Sequence, residues 1–167
     1  MSPSELFIGR FSDGIIIRLV GRGTMQQSPA VRAVVEHSRG ARVVVFDATE
    51  CDYFDSTFLG CLIWIKKACE SPPARRFAIV AGASARIKLF ATSSLDRYFD
   101  FLDESPEPLA DWVPIDVQQL DLEALGRHVM RCHQLLADLG GDKAAAFRRV
   151  ADRLAVELRD KASARQG

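Results

Sequence analysis

The sequence predicts an α/β fold, a mixed β-sheet with helices packed on it, followed by a C-terminal α-helical hairpin. Three observations predict it. "ARVVVF" is a β-branched run without polar alternation, as in a strand buried on both faces. Strand-like and helix-like stretches alternate up to about residue 104, which implies right-handed crossovers. Beyond the proline-rich "ESPEPLADWVP" the strands stop, and leucines recur at intervals of three and four residues.

In order, Leu6–Arg10 and Gly14–Val20 are short apolar runs split by "SDG", the turn chemistry of a hairpin. "GRGT" punctuates. Val31, Val34 and Val35 then recur at helical spacing after Ser28, read as an N-cap with Pro29 at the first helical position. After "ARVVVF" a helix is expected from Asp55 or Ser56 to about Cys69, ended by "ESPPARR", whose proline pair cannot continue it. Phe77–Ala81 reads as a strand, "SARIKLFATS" as a short helix capped by Ser84, and "YFDFLD" as a shorter edge strand.

The expected division is a sheet domain over 1–104, a linker over 105–116, a helical hairpin over 117–162 and a disordered tail over 163–167. Leu122, Leu125, Val129, Cys132, Leu136 and Leu139 form an a/d seam. "GGD" ends that helix, and Asp142 is placed to cap a second one bearing Phe147, Val150, Leu154 and Leu158 on one face. Such a hairpin is too small to be stable alone. Its seam, with Leu122, Leu125, Val129 and Leu136, is expected to lie against the sheet domain or to pair two chains as a homodimer.

Lysine plus arginine (22) equals aspartate plus glutamate (22), so no overall field favours nucleic acid or an anionic membrane. No window approaches the ~18 apolar residues of a membrane span, and a cytoplasmic protein is expected. Cys51, Cys61, Cys69 and Cys132 lack CxxC spacing, so neither a disulfide nor a zinc site is expected.

The segment "FDATECDYFDSTFLG" raises the question of function. An acid followed by Ser56 and Thr57 at the start of a helix is read most simply as a cap for orphan amides. The same place suits a phosphate, which would meet the positive end of the helix dipole. Asp47 ends the preceding strand, where α/β sheets place their sites. Near Asp47, Asp52 and Asp55, a phosphate on Ser56 would change the charge that a partner meets.

"VVVFDATECDYFDSTFLGCLIWI" resembles the signature of the STAS domain, the fold of bacterial anti-sigma factor antagonists. "IIIRLVGRG" and "ASARIKLFATSSLDRYFDFLDES" resemble that family's second strand and its later helix and closing strand, so the resemblance spans roughly residues 6 to 104. It implies a STAS-like mixed sheet and a protein switched by an anti-sigma factor that is also a serine kinase, with a phosphatase resetting it. By position Ser56 is the phosphoacceptor, Thr57 its neighbouring hydroxyl, and Asp47 and Asp55 the acids lining the site. The sequence departs from the family at Phe58, where glycine is usual, and at Thr24, where an acid is usual. With Gly60 and Trp64 these are the candidate partner-binding residues.

Thr57, Gly60 and Trp64 share a helix face with Lys67; Trp64 is either a partner anchor there or core. His128 and Cys132 are one helical turn apart with His133 adjacent, but no third metal ligand is evident, so Cys132 is expected on the seam and the histidines toward solvent. The arginines of the last helix are mixed with acids, as on a solvated face. Ser56 has no histidine within its motif to activate it, and "GRGT" is not a phosphate-cradling loop, so no catalytic residue, cofactor or metal is expected. Three functions remain: a phosphorylated anti-sigma factor antagonist, a STAS scaffold or assembly protein that works without phosphorylation, and an accessory subunit of a lipid-transport ATPase.

Overall fold

The structure is a computed structural model that describes residues 3–91 and 94–167. β1 (Glu5–Phe11) and β2 (Gly14–Gly23) form the expected hairpin, with Ile8 opposite Ile17 and Phe11 opposite Gly14. β3 (Val43–Asp47), β5 (Arg76–Val80) and β6 (Phe101–Leu102) follow β2 in parallel. From one edge inward the sheet order is β6-β5-β3-β2-β1.

Two strands were not anticipated. β4 (Cys51–Phe54) pairs with the far end of β2, where Gly21 takes φ of 97° at a register shift. Only a residue without Cβ enters that conformation easily. β7 (Val113–Ile115) lies in the expected linker and pairs antiparallel with β1. Proline at its centre is acceptable because β7 is an edge strand.

The helices are α1 (Ser28–His37), α2 (Ser56–Glu70), α3 (Ala83–Phe90), α4 (Leu122–Asp138) and α5 (Ala144–Gln166). Three expected caps are corrected. Gln27, not Ser28, is the N-cap of α1; Gly82, not Ser84, precedes α3; and α5 starts after Lys143, with no side-chain cap from Asp142. Ser28 is buried with its hydroxyl turned to α4. The expected end of the α3 helix, at Thr92–Ser93, lies outside the described residues. The expected disordered tail is instead helical to Gln166.

Strand alternation divides the sheet into two faces. Ile15, Ile17 and Leu19 of β2, Val44 and Phe46 of β3, and Phe77 and Ile79 of β5 meet α1, α2 and α3 in the main core. Ile16, Val45 and Val80 face the other way, under Phe11, Leu102 and Trp112. Residues on the way to β7 cross that second face, and a Cβ at Gly9 would lie 3.0 Å from the Trp112 ring.

The hairpin docks in cis. Cys132, Leu135 and Leu136 of α4 join the main core by packing on α2, and α5 lies against α4. The seam is therefore used unevenly. Cys132 and Leu136 are buried, Leu125 and Val129 are half-buried, and Leu122 stays 80% exposed. Gly140 and Gly141 turn the chain between the two helices with φ of 80° and 92°. Among the described residues no helix is long and apolar enough to cross a membrane.

Candidate functional site

Ser56 opens the first turn of α2. Asp55 is its N-cap: one carboxylate oxygen accepts from the Phe58 amide at 2.7 Å, satisfying an orphan donor. The other accepts from the Met25 amide at 2.9 Å, which ties the β2–α1 loop to the start of α2. Thr24 holds the same loop, its amide and hydroxyl both donating to the Gln27 side-chain oxygen at 3.0 and 2.8 Å. Asp55, Ser56 and Thr24 are thus brought together at the start of α2.

Asp47 is not brought to them. It has the parity of Val45 and so projects from the sheet face opposite α2. There its carboxylate is fully buried. The Arg18 guanidinium donates twice to one oxygen at 3.0 Å, and the Thr49 amide and hydroxyl donate to the other at 3.0 and 2.6 Å. Arg18 in turn lies 4.2 Å over the Trp112 ring. Asp47 is therefore a structural acid of the second face.

Phe58 is not a partner contact either. It is 0% exposed and sits among Phe46 and Phe54, with ring centroids 5.6 and 4.8 Å away. Gly23 opposite it leaves the room: a Cβ there would fall 2.9 Å from the Phe58 ring. Thr57, too, is buried.

The helix face bearing Gly60 and Trp64 is covered by α4. A Cβ on Gly60 would collide with the Cys132 carbonyl oxygen, so the two helices approach this closely only because residue 60 is glycine. Trp64 is half-buried, stacked on His128 with centroids 5.8 Å apart and carrying the Arg32 guanidinium 3.8 Å from its ring. It is an anchor, but for this chain's own hairpin.

Ser56 itself meets α4. Its hydroxyl is 3.0 Å from His133 Nε2, while His133 Nδ1 is 2.9 Å from the Val129 carbonyl oxygen. A carbonyl only accepts, so Nδ1 carries a proton; in the neutral imidazole Nε2 then accepts and Ser56 donates. His128, five residues earlier, also meets a serine: its Nε2 lies 2.7 Å from the Ser28 hydroxyl and 3.6 Å from the Cys132 sulfur. Both histidines are buried, contrary to the expectation that they face solvent. A buried imidazole between helices needs polar partners, and serines on α1 and α2 supply them.

All four cysteines are free thiols. The adjacent Cys61 thiol, with help from His128 and against the effect of burial, pulls the Cys132 thiol down to about 6. Burial pushes Cys61 up, and its thiol donates to the Ser28 carbonyl at 3.3 Å. Cys51 is also pushed up, first by burial and then by Asp47, Asp52 and Glu50. Among the described residues no cluster of histidine, cysteine and acids could hold a metal ion.

What the sequence did not offer is the pairing of His128 with Ser28 and of His133 with Ser56. The partners lie as many as 100 positions apart, so no local spacing connects them. The rim around the first turn of α2 was also missed: Met25 and Tyr53 are exposed there, and Arg22 lies 4.3 Å over the Tyr53 ring.

The strand order, the parallel core of the sheet and the helix placement define a STAS-like fold, that of anti-sigma factor antagonists. The crystal structure of an anti-sigma factor antagonist from Mycobacterium paratuberculosis matches with a TM-score of 0.50 at 16% identity, covering 61% of this chain and 87% of that one. The anti-sigma factor antagonist SpoIIAA in its unphosphorylated form matches with a TM-score of 0.49 at 11% identity, covering 60% of this chain and 89% of that one. At 16% identity the first of these likenesses is one of fold. No family model matches the sequence, and no curated protein does.

Proposed function

We propose that this chain is a regulatory protein-binding module that acts as an anti-sigma factor antagonist, with Ser56 accepting phosphate from an anti-sigma factor that is also a serine kinase. The observation that carries the proposal is the placement of Ser56 as the first residue of α2, beside a cap that fixes the helix start. In the transfer the Ser56 oxygen bonds to the γ-phosphorus of ATP, the bond to ADP breaks, and the hydroxyl proton passes to a base on the kinase. The product carries nearly two negative charges at a helix N-terminus, favoured by the dipole, yet next to Asp55. A partner that docks on this rim meets a changed charge, and hydrolysis by a phosphatase restores the original one.

The test is to incubate the full chain with ATP and serine kinases of the same genome, then map phosphate by mass spectrometry. A single phosphate on Ser56, lost in Ser56→Ala, is expected. Phosphate confined to other residues, or none with any such kinase, contradicts the proposal.

A scaffold that works without phosphorylation is the second reading, favoured by the hydrogen bond that occupies the Ser56 hydroxyl. It requires Ser56→Ala and Ser56→Asp to leave partner affinity unchanged.

A further inference from the structure

The hairpin packs on the outer face of α2, the helix that carries Ser56, joining the main core there and leaving Ser56 itself half-buried at the edge of the contact. We infer that α4 and α5 form an intramolecular lid that competes with the protein partner for α2 and withholds Ser56 until it lifts; the regulatory meaning of this rests on Ser56 being the acceptor.

Three observations carry the inference. First, the lid takes the functional group itself, since the Ser56 hydroxyl is committed to His133 at 3.0 Å. A kinase needs that oxygen free and its surroundings open. Second, the hairpin is built to move as a unit. Arg148 pairs with Asp138 at 2.6 Å and Arg165 with Glu123 at 2.5 Å, joining α5 to α4, while the His133 ring packs edge-on against Phe147 of α5. Third, the chain between β7 and α4, residues 116–121, is exposed and without regular structure, so it can serve as a tether. By contrast, the lid's side-chain hydrogen bonds to the sheet domain include two serine–histidine bonds, from His128 to Ser28 and from His133 to Ser56.

Closure also depends on one small residue. The Cys132 main chain sits against Gly60, and any Cβ there drives α4 outward. Alanine is the better helix former, so Gly60→Ala leaves α2 intact while displacing the lid. Lifting exposes Cys132, Leu135 and Leu136, which keeps the closed form dominant until a partner supplies an alternative apolar cover.

Alkylation of Ser56→Cys in the full chain by N-ethylmaleimide, read peptide by peptide in a mass spectrometer, tests this without a kinase. The references are an exposed thiol introduced by Ser84→Cys and the native Cys69, which is 0% exposed in the core. The thiol introduced at position 56 is expected to react at least tenfold more slowly than the one at position 84. Adding Gly60→Ala is expected to raise its rate at least tenfold, with Cys69 still protected. The inference is overturned if the position-56 thiol reacts as fast as the position-84 thiol in the closed protein, or if Gly60→Ala leaves its rate unchanged. It is equally overturned if the position-56 thiol and Cys69 become reactive together, because Ser56 would then be reached only by global unfolding. Labelling as expected, alongside a failure to find any Ser56 kinase, retains the lid and removes the phosphoacceptor.

Discussion

Phe58→Ala is expected to destabilise the protein by about 3–5 kcal/mol, the usual cost of removing a phenylalanine from a packed core. The ring has no exposed surface and touches both Phe46 and Phe54, so its removal leaves a cavity lined by aromatic edges. Gly23 has no side chain with which to fill it. Had Phe58 been an apolar contact for a partner, the same change would alter stability by roughly 0.5 kcal/mol or less. Urea unfolding distinguishes the two: a large fall in midpoint at unchanged slope is expected. The glycine usual in the resembling family at this position is thus not a neutral exchange here, since the core has been built around the ring.

The second large effect is expected from Arg18→Met. Removing the guanidinium leaves the Asp47 carboxylate fully buried with one oxygen deprived of both its donors. Breaking a buried pair from one side costs about 3–5 kcal/mol. Arg18 keeps 29% of its side chain exposed, which admits water and places the expectation at the lower end of that range, about 3 kcal/mol. Neutralising the stranded acid by adding Asp47→Asn is expected to recover most of the loss, measured by the same unfolding transition. Because Asp47 and Ser56 belong to opposite sheet faces, Asp47→Asn is also expected to leave modification of Ser56 unchanged. An altered rate of phosphorylation in that variant would place Asp47 back at the site.

The fold was legible where one element determines its own pattern. "VVVF" suited a strand with both faces buried, and Asp55 at the head of α2 could be read as a cap because the amide it binds lies three residues on. β4 and β7 were hidden because "CDYF" and "VPI" are too short to show alternation, and each is held by a partner strand distant in sequence. The site was half legible. Placing Asp47 beside Ser56 failed because being last in a strand fixes which end of the sheet a residue occupies, whereas its parity fixes the face.

A clue to the docked hairpin was present in "STFLGCLIWI", which is apolar all the way round. A helix of that kind is covered on both sides, so α2 required something beyond the sheet to pack on its outer face. Gly60 within it marks where the covering helix approaches closest. What no spacing could reveal is that His128 and His133 project inward, since their serine partners sit on α1 and α2.

The protonation of His133 tests most directly whether the hairpin holds Ser56. Nitrogen-15 NMR of the imidazoles in the full chain at neutral pH is expected to show His133 with its proton on Nδ1, bonded to the Val129 carbonyl, and an unprotonated Nε2 whose resonance shifts in Ser56→Ala. A His133 ring with its proton on Nε2, or one averaging between tautomers as in solvent and indifferent to Ser56→Ala, would contradict the account.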